Sequence, residues 1–397
     1  MSMFYTLMDM QIDKKVEIAN NLMDDFLTRT GIKDPGKNHK TRYLWTDAFA
    51  VQSCFALSKE PNGEDYRAYA LRIIDLVHSI LGKHRDDDPR KGWISGLPAD
   101  EGSIHPTAGG LRIGKKLPER LNGEPYNQRL EWERDGQYFH YLTRWFIALF
   151  QAYKETGDKK YALEAAELIK VGEKFLNMDK GRLRIYWKMN TDLTRPLVTS
   201  MGAHDPLDGL LSVISIINAA PETGNSLESL NHDLQVVCHD MSWFTTDPLG
   251  IGTLMINTAR AAELSLTIKP LPPSIRPEYL FADSLAGLQA YAKRVYNRPE
   301  PAENRLAFRE CGLSLGFRVL YGMREKYNKM DIDFRELGQF LYLIEDIEDF
   351  WSQTANQQSP SWLANEDINS VTLAANLLAR NHPEVFCSGP GNDRSAV

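Results

Sequence analysis

The chain has 397 residues, of which 43% are hydrophobic, 25% charged and 10% aromatic, the composition of an ordinary globular protein and not of a disordered or fibrous one. A formal net charge of -7 argues against a nucleic-acid surface, because neutralising phosphates needs clustered Lys and Arg that are absent here. A neutral, polyhydroxylated ligand fits this balance better than a polyanion.

The N-terminal MSMFYTLMDMQIDKK has no basic segment followed by an apolar stretch, and no later run approaches the roughly 18 apolar residues of a membrane span. The expectation is a cytoplasmic protein with no membrane partner. Cys54, Cys238, Cys311 and Cys387 are scattered, without a CxxC pair, and read as reduced thiols packed as small apolar groups.

Helical spacing first appears at 10–29, then at 43–57, which opens on YLWTDAF, and at 65–82. The periodicity stops from about 83 to 132, where GKHRDDDPRKGWISGLPADEGSIHPTAGG is rich in Gly and Pro. So long a connection predicts a loop that walls a pocket, with a disordered insertion as the alternative. The segment 137–156, GQYFHYLTRWFIALFQAY, is apolar nearly all round and has to be buried. After the turn ETGDKK, 158–177 is two-faced, with Ala162, Ala165, Leu168, Ile169 and Leu176 opposite Lys160, Glu164, Glu167, Lys170 and Lys174. That pattern belongs to an outer helix.

Seven further segments follow at 204–219, 227–242, 247–266, 279–297, 303–324, 334–351 and 366–380. Those containing HDPLDGLLSVISII, TDPLGIGTLMINTARAAEL, ENRLAFRECGLSLGFRVL and EDINSVTLAANLLA share the buried character, and Gly312 and Gly316 would let neighbouring helices approach closely. A flexible tail is expected from about 383. Buried and two-faced segments alternate in six pairs, with none of the sequence repeats of an open solenoid. The chain is therefore expected to be one all-α domain, 1–397, with six helical hairpins closed into a ring.

In such a ring the inner helices begin at one mouth. Their starts carry Trp45 and Asp47, then Glu133, Asp135 and His140, then His204, Asp205 and Asp208, followed by Asp247, Glu303, Arg309, Glu366 and Asp367. Any one acid there can be a helix cap worth about 1 kcal/mol. Taken together, acids beside Trp45, Trp132 and Trp187 offer carboxylates and flat aromatic faces. Sugars are held by such faces, and two carboxyl groups can act as acid and base across a glycosidic bond.

On YLWTDAF, WERDGQYFHYLTRW and GAHDPLDGL the chain resembles the six-hairpin glycosidase superfamily, the (α/α)6 toroids. The resemblance spans nearly the whole length as architecture and implies a hydrolase with inner-helix acids as catalysts, often inverting; separately, no cofactor or metal is expected. Carried over residue by residue, it implies Asp135 as general acid, with Glu133 competing, and Asp205 or Asp208 as general base. Asp47, Arg309 and Glu366 would hold hydroxyl groups, and Trp45, Trp93, Trp132 and Trp187 would be stacking platforms. The implied partner is a small carbohydrate or oligosaccharide.

Other readings remain open. Sugar epimerases of the N-acylglucosamine 2-epimerase type resemble the same superfamily and use histidines, which points to His140 and His204. The dipeptides His204-Asp205 and His239-Asp240 superficially match metal-dependent phosphohydrolases. The run IEDIEDFW reads as a solvated face in preference to a magnesium motif, and a non-catalytic glycan- or protein-binding toroid uses the same residue types.

Overall fold

The computed structural model describes residues 2–34, with side chains from 14 onward, and residues 41–268, 270–296 and 300–387. Its twelve principal helices stand where the apolar periodicity places them. They are α1 (Ser2–Arg29), α2 (Leu44–Leu57), α3 (Glu64–Leu81), α4 (Phe139–Thr156), α5 (Lys159–Lys170), α6 (Asp205–Ala219), α7 (Gly224–Cys238), α8 (Pro248–Thr267), α9 (Pro277–Tyr296), α10 (Ala307–Gly322), α11 (Leu341–Trp351) and α12 (Glu366–Leu378).

The even-numbered helices form the inner ring. Each packs on the next, from α2 through α4, α6, α8 and α10 to α12, and α12 packs back on α2. Every residue of α2 is buried, which an apolar helix without a polar face requires. The odd-numbered helices lie outside, α3 on α2, α5 on α4, α7 on α6, α9 on α8, α11 on α10, and α1 over the seam between α12 and α2. The six hairpins thus close into an (α/α)6 toroid.

The expected close approach at glycine occurs between α8 and α10. A Cβ on Gly316 would stand 2.1 Å from the carbonyl oxygen of Gly252, and one on Gly252 would stand 2.0 Å from that of Gly312. Any side chain at these positions would drive the two backbones apart.

Several expectations need correction. The helix read to 177 ends at Lys170 and tightens into a 3-10 turn at Val171–Phe175. There the chain enters a hairpin of strands Leu176–Asp179 and Arg182–Ile185, turned by Lys180 and Gly181 with φ of 49° and 77°. Glu164, read as solvent-facing, is buried because the long loop crosses α5, where Thr107 Oγ1 donates to the Glu164 carbonyl at 2.8 Å. In the acidic run, Glu348 is fully buried. It accepts from Lys15 Nζ at 2.7 Å and from Arg318 Nε and Nη2 at 2.6 and 2.9 Å, tying α1, α10 and α11 together.

The long loop is ordered and contains short helices at Ala99–Ile104 and Gln128–Glu133. Past the far end of the ring, residues 383–387, expected to begin a flexible tail, form a helix with Val385, Phe386 and Cys387 buried against α2, α8 and α10. Gln52 Nε2 donates to the Val385 carbonyl at 3.0 Å, so this helix plugs the floor; the tail from 388 lies outside the described residues. All four cysteines are buried.

Candidate functional site

The start of α6 carries Asp205, the inner-helix acid that the structure leaves least committed, together with Asp208. Asp205 is 4% exposed and Asp208 7%, one turn apart and therefore on one face of the helix. Asp205 is not a cap. Its carboxylate lies against Gly202, where a Cβ would stand 2.4 Å from Oδ1, and Oδ2 is buried without a hydrogen-bond partner. Burial, reinforced by the negative charge of Asp208, pushes the Asp205 carboxyl up to about 7. Asp208 is engaged through one oxygen. Its Oδ1 accepts from Asn257 Nδ2 at 2.7 Å and lies 4.0 Å from Arg260 Nη1, while the charge of Asp208 acts on Arg144 of α4.

An aromatic wall stands on α2, α4 and the strand segment before α6, linked to these acids through Arg144, which lies by Trp45 and feels the charge of Asp208. Strand β1 (Gln137–Tyr138) leads into α4 and pairs with a strand at Lys188–Met189, which in turn pairs with Pro196–Val198. This small sheet carries Trp187 to the start of α4, where Trp187 Nε1 donates to His140 Nδ1 at 3.0 Å. Since an indole only donates, Nδ1 is the bare nitrogen and Nε2 holds the proton, with no partner among the described residues. Burial, with Arg144 nearby, pushes the imidazole down to about 3, so His140 is neutral. Its ring stacks with Tyr138 at 5.2 Å and Trp187 at 5.9 Å and meets Trp45 edge-on at 5.7 Å. Arg144 lies 5.4 Å over Trp45. Trp132, half-exposed, stands edge-on to Trp187 at 4.8 Å, so the end of the long loop does reach this wall.

Most of the other expected site residues are drawn into the scaffold. Asp135 is 0% exposed, accepting from Arg112 Nη1 at 2.6 Å, Gly114 N at 2.9 Å and Lys115 N at 3.3 Å. Both its oxygens are engaged in anchoring the long loop, which corrects its reading as general acid. Glu133 is exposed at the end of the 128–133 helix, outside the acid pair. Asp47 is sealed in a bidentate pair with Arg42, and Trp93 is buried in the loop with Nε1 donating to the Ala99 carbonyl at 3.2 Å, so neither faces a ligand. His204 precedes α6, with Nε2 donating to the Trp243 carbonyl at 2.8 Å, and positions the helix start. Arg309 pairs with Asp247, itself the cap of α8, and Glu366 lies 3.5 Å from Arg29 on the outer helix α1. His239 and Asp240 are exposed on the outside of the ring. Among the described residues, no group of three or more His, Cys, Asp or Glu side chains is placed to hold a metal ion.

Arg144, Asn257 and Arg260 were not expected at the site. A signal was present, since each is a strongly polar residue inside a run otherwise read as buried, where an unpartnered charge is costly.

No protein-family model matches the chain, and no curated protein matches it in sequence. Among solved structures it is similar to the GH76A α-1,6-mannanase from Salegentibacter sp. HEL1_6, with a TM-score of 0.53 and 13% identity over 93% of this chain and 99% of that one. An inactive variant of that mannanase, with two consecutive aspartates replaced by asparagine and α-1,6-mannotriose bound, matches with a TM-score of 0.55 and 12% identity, covering 92% and 99% of the two chains. Here consecutive aspartates occur only at 24–25 and 86–88, away from the first turns of the inner helices. The likeness is one of architecture, and it agrees with the ring of hairpins in giving this chain an (α/α)6 toroid fold.

Proposed function

We propose that this protein is a glycoside hydrolase in which Asp205 is the general acid and Asp208 its charge partner. The observation that carries the reading is the Asp205 carboxyl, buried beside Asp208 and pushed up to about 7 with Oδ2 unpartnered. A carboxylic acid that keeps its proton near neutral pH can give it to a departing glycosidic oxygen. Asp208, held by Asn257 and facing two guanidinium groups, supplies the negative charge that an oxocarbenium-like transition state needs.

Trp45, Trp187 and half-exposed Trp132 provide apolar faces for sugar C–H surfaces. His140 is better suited to holding a hydroxyl group than to abstracting a proton. Its Nδ1 is taken by Trp187, and Nε2–H is a donor on a ring too weakly basic for epimerase chemistry. Because solved toroids of this shape include an α-1,6-mannanase bound to mannotriose, α-1,6-linked manno-oligosaccharides are the first substrates to try, within a wider panel of neutral oligosaccharides.

The test is product formation by chromatography with mass detection, for the protein and for Asp205→Asn. Cleavage that Asp205→Asn removes, with kcat falling as pH rises through about 7, is the expected result. Full activity of Asp205→Asn on a cleaved substrate would refute the assignment, and interconversion of a free sugar without cleavage would refute the reaction class.

A further inference from the structure

A groove of about 860 Å³ opens beside the ring mouth, between the end of α9, residues 300–306, the first residues of α8 and α10, and the length of α11. Neither Asp205, Asp208, His140 nor any of the wall tryptophans lines it. It starts at Asp247 and Pro248, on the inner helix next to α6, and runs outward. The eight residue steps from Tyr342 to Phe350 along α11 make it about 12 Å long on that side.

The groove has a braced floor and uncommitted walls. Glu310 accepts Arg305 Nη2 and Trp351 Nε1, both at 2.7 Å, and the Arg305 guanidinium lies 3.8 Å from the centre of the Phe350 ring. Arg309 is paired with Asp247. These groups satisfy one another. On the walls, Tyr296 is 82% exposed and Tyr342 52%, and Asp346 is exposed with no partner among the described residues.

The chemistry of the lining decides the ligand. Among the described residues, five carboxylates face three guanidinium groups, two of which are already paired, so a polyanion meets net repulsion there. An apolar ligand would have to strip water from the unpaired carboxylate of Asp346. A neutral polyhydroxyl chain meets neither penalty, because hydroxyl groups donate to carboxylates while sugar C–H faces cover the tyrosine rings. The volume lies within the roughly 300–1,000 Å³ of small-ligand sites.

We infer that this groove binds the remote units of a neutral oligosaccharide whose reacting end lies at the acid pair, so that the protein acts on chains and not on free sugars. The reacting end rests on the glycoside-hydrolase reading; binding in the groove does not.

The test compares the protein with Tyr296→Ala/Tyr342→Ala, both exposed positions, on a surface carrying immobilised neutral glycans, acidic glycans, and acidic and basic peptides. Binding to a neutral glycan that weakens tenfold or more in the double variant is expected. No binding, binding confined to acidic glycans or peptides, or neutral-glycan binding that the double variant retains would each overturn the groove assignment. Where a cleaved substrate is found, the double variant should raise KM for chains of four or more units and leave disaccharide kinetics unchanged. Groove-dependent binding with no cleavage of any glycan would sink the hydrolase and keep the groove, whereas cleavage indifferent to chain length would do the reverse.

Discussion

Replacing Asp135 with asparagine separates a catalytic role from a structural one. The carboxylate is sealed and holds Arg112, itself buried, together with the backbone N–H groups of Gly114 and Lys115. An asparagine oxygen can still accept from the backbone, but its amide then turns N–H groups toward the guanidinium. Arg112 is left as an uncompensated buried cation, a defect that costs about 3–5 kcal/mol. With an unfolding entropy of about 2.1 cal/mol/K per residue, 397 residues give about 0.8 kcal/mol/K, so the melting temperature should fall by about 4–6 °C. Calorimetry gives the shift, and activity normalised to folded protein, measured well below the transition, should stay within about twofold of the parent. A variant that melts like the parent yet has lost turnover would refute the structural assignment and return Asp135 to catalysis.

The raised Asp205 carboxyl also makes a stability prediction. An unfolded aspartate ionises near 3.9 and folded Asp205 near 7, so between these values the unfolded chain has released a proton that the folded chain keeps. This residue's contribution to folding therefore weakens as pH rises through that window, by roughly 4 kcal/mol in all. Asp205→Asn removes the penalty, and its denaturation midpoint should gain on the parent between pH 4 and pH 8; an advantage of equal size at both ends would contradict the shifted carboxyl. Gly316→Ala sets a helix-propensity gain of about 1 kcal/mol against a Cβ placed 2.1 Å from the Gly252 carbonyl oxygen. Backbone has to move, so urea denaturation should show a loss of about 1–3 kcal/mol, and a stabilised variant would mean that α8 and α10 are not in close contact there.

The ring itself was legible. Apolar periodicity placed all twelve helices within a few residues at most ends, because a helix must bury its apolar stripe and a chain of alternating stripes has few ways to do so. It failed at 171–177, where strand pairing with 182–185 offers the backbone partners that the periodicity alone does not reveal. The candidate site was read in part. Asp205, Asp208, His140, Trp45 and Trp187 were named from the starts of inner helices, whereas Arg144, Asn257 and Arg260 reach the acids from deeper turns of α4 and α8.

What the sequence alone determined is local and periodic: which segments are helices, which of them are buried on every side, and where acids and aromatic residues gather at helix starts. Which acids remain free was decided only by tertiary structure. Asp47 finds Arg42, Asp135 finds Arg112, and Glu366 finds Arg29, while Asp205 finds no partner for Oδ2. A carboxylate's identity is written in its codon, but its proton affinity is set by the charges and donors around it, and those arrive from segments tens to hundreds of residues away.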